Sequence, residues 1–141
     1  MDTEIRAKKH EEEGEMAGAA FLRTLAARMR VLEASIWKPL IEVAEKMLDF
    51  RLAEMAHGYM DSALSNASRD YGGAAVAYKK IGDFEVAREM HMNSAWMYRQ
   101  RYHLSKDGRY SELKRQWVDE KMKEQLRLAK EAREMAKGKS E

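Results

Sequence analysis

The sequence predicts an all-α domain of five to six helices, and three observations lead there. Ala, Glu, Lys, Arg, Leu and Met dominate the 141 residues, with a single proline and no run that alternates apolar and polar. Propensity and pattern both favour helix over strand. Apolar residues recur in steps of three and four, as in Leu22, Leu25, Met29, Leu32 and Ile36, which places them on one stripe of a helix. Finally, a nine-residue phrase occurs twice. Asp49-Phe50-Arg51-Leu52-Ala53-Glu54-Met55-Ala56-His57 returns 34 residues on as Asp83-Phe84-Glu85-Val86-Ala87-Arg88-Glu89-Met90-His91. A period of this length marks stacked helix–turn–helix units.

The elements follow in order. Residues 1–17 are mostly charged and read as a solvated helical extension, 18–137 as the domain and 138–141 as a tail. The Leu22–Ile36 stripe predicts a first helix packed onto its own domain; the same spacing also suits a short seam for self-association. Pro39 predicts a boundary, because proline fits the first turn of a helix and turns the preceding residue away from helical geometry. A second helix then runs from about 38 to 48. Asp49 caps a third, with Ala53, Ala56, His57, Met60 and Leu64 on one face. Ser65-Asn66-Ala67-Ser68 should end it, since short polar side chains compete for backbone hydrogen bonds. A fourth helix covers about 69–81, and Gly82-Asp83 supplies a tight turn between antiparallel helices. The fifth, about 84–105, carries apolar residues in nearly every direction and is expected at the centre of the domain. The last, about 110–136, bears Leu113, Trp117, Val118, Met122, Leu126, Ala129 and Ala132 on one stripe.

Composition narrows the function classes. No cysteine is present, so disulfide and thiol chemistry are absent and a reducing, cytoplasmic setting is expected. No apolar run is long enough to span a membrane, and the first residues are too charged for a signal peptide. With 26 basic and 24 acidic residues the formal charge is only +2, so electrostatic recognition requires local asymmetry.

At the repeated phrase the chain resembles a tetratricopeptide repeat protein. Residues 68–101 offer Tyr71, Ala74, Ala75, Tyr78, Gly82, Phe84, Ala87 and Ser94 in that register, and residues 34–67 offer Trp37, Leu40, Ile41, Ala44, Phe50 and Ala53. Leu48 stands where the turn glycine belongs in the first unit. The resemblance implies helical hairpins in a short solenoid or bundle, and a non-catalytic module that binds another protein or peptide. It also implies ligand contacts on the first helix of each unit, here Lys38, Glu42 and Glu45, then Arg69, Val76 and Lys79. A clamp for a terminal carboxylate is not expected, because Glu42 would repel the acid.

Two further patterns bear on chemistry. Arg51 and His57 form an Arg-x5-His spacing that resembles the motif of the HEPN superfamily, which includes metal-independent ribonucleases. That resemblance implies a dimer in which Arg51 stabilises phosphate and His57 acts as acid or base. A basic stretch holds Arg99, Arg101, Lys106, Arg109, Lys114 and Arg115 among Tyr98, Tyr102, His103 and Tyr110. Cations beside rings are what single-stranded nucleic acid or an acidic peptide requires; the plainer reading is a solvated corner whose rings belong to the core. His57 and His91 recur at equivalent places, but no spacing supplies further metal ligands. Neither a phosphate loop nor a nucleophile elbow is readable, and no cofactor is implied. Binding module, ribonuclease-like dimer and self-associating structural subunit are the three readings the residues support.

Overall fold

The structure, a computed structural model, describes residues 2–104 and 110–140. Four helices account for nearly all of them: α1 (Asp2–Lys46), α2 (Phe50–Lys80), α3 (Phe84–Leu104) and α4 (Glu112–Ser140), with no strand among the described residues. The all-α class is as expected, but the helices number four, because two expected breaks do not occur. Pro39 lies inside α1. Its ring displaces the hydrogen bond to the Ser35 carbonyl, and both residues are exposed, so water can serve that oxygen. Packing holds the helix on either side: Trp37 stacks on Tyr59 at 4.9 Å, and Ile41 is buried. The second expected break, at 65–68, is bridged within α2. The Ser68 hydroxyl donates back to the Ser65 carbonyl at 2.7 Å, and the Ser94 hydroxyl of α3 donates to the Ser68 carbonyl at 2.8 Å. Small polar residues serve here as a close crossing between helices.

Each helix packs on its neighbour in sequence, α1 on α2, α2 on α3 and α3 on α4. All three pairs are antiparallel. Trp37 meets Tyr59 while Arg23 lies over Gly73; Ser94 meets Ser68 while Arg101 meets Asp61; His91 meets Gln125 while Tyr98 meets Trp117. The central helix is α2 rather than the 84–105 helix expected there. Ala56, Met60, Ala63, Leu64, Ala67, Tyr71, Ala74 and Ala75 of α2 form the middle of the core, joined by Ala27, Ala34 and Ile41 from α1 and Met90 and Met97 from α3. In α3, by contrast, Met92 and Trp96 are exposed.

The two copies of the repeated phrase begin at two turns of the same construction. In the first, the amides of Met47, Leu48 and Asp49 donate to the carbonyls of Val43, Glu45 and Ala44. In the second, Ile81, Gly82 and Asp83 donate to Ala77, Lys79 and Tyr78, each partner shifted by the repeat. The turn residue has positive φ in both, 58° at Leu48 and 84° at Gly82, the left-handed geometry that ends many helices. Each aspartate then caps the next helix, Asp49 accepting from the Leu52 amide at 3.1 Å and Asp83 from the Val86 amide at 3.4 Å. One period therefore holds a single 31-residue helix and its turn, where the tetratricopeptide resemblance implies two short helices.

Candidate functional site

The most unusual surface lies on α1. Its inward stripe is made of small residues: Ala20, Thr24, Ala27, Ala34 and Ala44 are buried, with Ile41 the one large side chain among them. Alanine at such positions lets helix backbones approach closely. The stripe of Leu22, Leu25, Met29, Leu32 and Ile36 faces the other way, into solvent, and so does not pack onto its own domain as expected. Leu40, Val43 and Met47 extend it past Pro39. These eight side chains are between 41 and 72 % exposed. A shallow hollow along them is lined by Met29, Leu32 and Ile36 with Ala26, Arg30 and Glu33. An apolar band this long is unusual on the surface of a monomeric protein.

A second concavity, of about 280 Å³, is lined by Glu54, His57, Gly58, Asp61, Leu104, Tyr110 and Lys114. His57 is buried at its edge, with Nε2 3.5 Å from the Glu45 carboxylate. Arg51 does not join it. Six residues along a continuous helix turn a side chain by about 240°, and Arg51 is exposed while His57 faces α1. The pair that the HEPN resemblance implies therefore does not converge within this chain. Asp61 accepts from Arg101 Nε at 3.1 Å and has Lys114 Nζ at 3.9 Å, so its carboxylate serves an ion-pair network. Among the described residues no group of three His, Asp or Glu is arranged to hold a metal ion.

The basic corner is largely tied to rings and acids. Arg101 is buried, bound to Asp61 and set 5.8 Å from the Trp117 ring centre. Arg115 lies 5.1 Å from the Tyr102 ring, Lys114 4.1 Å from Tyr110 and Arg99 5.5 Å from Trp96. Lys106 and Arg109 fall outside the described residues. Beside the corner, a groove of about 370 Å³ between α3 and α4 is lined by Met92, Trp96, Arg99, Tyr102, His103, Met122 and Leu126.

Among the described residues, His91 is the most enclosed titratable side chain. It is 1 % exposed, and its Nδ1 donates to Gln125 Oε1 at 2.7 Å. Burial lowers its pKa below the ordinary histidine value; the Gln125 bond opposes that shift, Lys79 adds to it and Glu131 opposes it. Burial likewise raises the Tyr71 phenol, against the pull of Arg28 beside it.

The contact residues implied by the repeat resemblance separate into two groups. Glu45 sits beside His57, and Lys38 and Glu42 share its end of α1. Val76 lies 17 residues beyond Tyr59 along α2, about 25 Å away, with Arg69 and Lys79 on the same half. The two groups do not flank one groove, because α1 and α2 pack directly against each other along the intervening length. Sequence reading missed Val43 and Met47, whose spacing continued the stripe but lay past the proline, and it took Leu40 as part of the repeat's packing, whereas Leu40 is 41 % exposed. It also missed Asp61 and Glu45 as partners of Arg101 and His57, which no local spacing reveals.

A comparison with protein-family models, with curated proteins and with solved structures finds no match in any of the three.

Proposed function

We propose that this chain is a non-catalytic interaction or scaffold module whose working surface is the outer face of α1. The single observation behind this reading is the band from Leu22 to Met47, which leaves eight large apolar side chains in water. Ordinary folding would have turned that stripe inward, since each such side chain contributes about 1.5–3 kcal/mol when fully buried. The chain instead uses alanines for its internal contact and keeps the larger side chains outside. Rigid display suits the role, because buried Ala27, Ala34, Ile41 and Ala44 seat this part of α1 on α2 and the Thr24 hydroxyl reaches Met90 Sδ of α3 at 3.6 Å.

The test is affinity capture from the native host with wild type and with the double variant Leu32→Glu, Ile36→Glu. Both positions are exposed, so the variant keeps its helix content by circular dichroism. Proteins held by the wild type should be lost by the variant and kept by an Arg127→Glu control on α4. Equal capture by all three proteins removes α1 from the interaction.

A further inference from the structure

The outer face of α1 has the spacing of a helix seam rather than of a general apolar patch. Leu22, Met29, Ile36 and Val43 recur every seven residues, and Leu25 and Leu32 fall between them at the alternate seam position. Straight helices drift off a strict seven-residue repeat, so such a pattern is matched by a second helix that supercoils with the first. All six side chains are exposed. The inner stripe of α1 follows its own three–four spacing through Ala20, Thr24, Ala27, Ala34 and Ile41, and α2 covers it. Helix α1 thus carries two seams on roughly opposite faces, one occupied and one open.

We infer that the open seam is occupied by the α1 of a second copy of this chain, running antiparallel. This inference rests on the docking-face reading above and names the occupant. Three observations select it. A closed twofold contact requires a self-complementary surface, and the flank of the seam provides one: Arg28, Ser35 and Glu42, seven residues apart, read basic, neutral, acidic. Antiparallel pairing brings this flank of one copy against the same flank of the other in reverse order, the Arg28 end of each toward the Glu42 end of its partner, with Arg28 also hydrogen-bonded to Tyr71 of its own α2. Glu33, on the opposite flank, is already held by Arg30 of its own helix at 3.0 Å.

The seam residues select direction as well. Pro39 and Lys46 fall in register with Leu25 and Leu32. Parallel pairing would stack Pro39 on Pro39 and Lys46 on Lys46. Antiparallel pairing layers Leu32 on Ile36, Met29 on Pro39 and Leu25 on Val43, so each awkward residue meets a flexible or apolar one.

Area is the third consideration. The side chains of the band are 41–72 % exposed, and at on the order of 100 Å² each, covering the whole band approaches the ~800 Å² per partner of a standard stable interface.

The experiment uses the full chain. Light scattering across a dilution series should give twice the mass of one chain for wild type. It should give the monomer mass for Leu32→Glu, Ile36→Glu, whose helix content is unchanged. Direction is read by oxidising an equimolar mixture of Leu25→Cys and Val43→Cys chains, which is clean because the protein has no cysteine of its own. Antiparallel packing yields the mixed disulfide; parallel packing yields the two homodimers, since only facing positions come within bonding reach. A monomeric wild type at every concentration overturns the inference, and so do homodimeric disulfides. If the wild type is monomeric but the double variant still loses captured proteins, α1 remains a docking face and only the second copy is removed as its occupant.

Discussion

His91 shows how a single buried side chain ties this fold to pH. Its ring is enclosed between α3 and α4, and burial holds its pKa below the ordinary value. The folded protein therefore keeps the ring neutral at pH values where the unfolded chain has begun to take up a proton. Stability from this group is complete above the unfolded value of about 6.5, and it falls as pH drops from there toward the lower folded value. Urea unfolding at successive pH values should show wild type losing stability below neutrality. The gap between wild type and His91→Asn should narrow over the same range; a gap independent of pH would show that His91 does not titrate differently on folding. Asp61 and Arg101 make a second residue-scale point. A buried arginine was not legible in the sequence, where Arg101 stood among five other cations and read as part of a patch. Its burial depends on an acid 40 residues away, and chain spacing carries no sign of that pairing.

Among the elements, the two turns were the most legible parts of the chain. Gly82-Asp83 names its turn directly, and the repeated phrase places the same turn at Leu48-Asp49. Leucine is the strained member, since a left-handed residue with a Cβ costs roughly 1–2 kcal/mol. Leu48 is exposed, so little packing offsets that cost. Leu48→Gly should stabilise the protein by about 1 kcal/mol after the entropy glycine loses on folding, seen as a higher urea midpoint with unchanged slope. A lower midpoint would mean that the Leu48 side chain supplies contacts worth more than the strain. The helix breaks expected at Pro39 and at 65–68 were illegible for one reason. Local propensity opposes helix at both places, but stacking of Trp37 on Tyr59 and the Ser94–Ser68 bond stabilise the continuous helix more strongly. The direction of α1 was hidden differently. Its periodicity defines two stripes, and hydrophobicity alone favours burying leucine; the alanine stripe wins because small side chains let α1 and α2 come close.

At the scale of the whole molecule, packing proceeds mainly from neighbour to neighbour, and among the described residues α2 and α3 are the helices with a main packing partner on each of two sides. Local opening should follow that order. Hydrogen exchange should be slowest in the middle of α2, around Ala63 to Ala75, and fast in α1 between Glu11 and Met16, where every described side chain is exposed. Equal protection along α1 would contradict it. The all-helical architecture was readable from composition and spacing, whereas the helix count was not, because the period of the repeat does not say how many helices fill it. That one helix fills it has a consequence for chain polarity. Each period reverses the direction of travel, so with four helices the backbone enters and leaves at the same end of the stack. Inserting one more copy of residues 50–83 would make the number odd and move the exit to the opposite end. A repeat built of helix pairs can grow indefinitely without that inversion; this one moves its exit to the other end with every unit it gains.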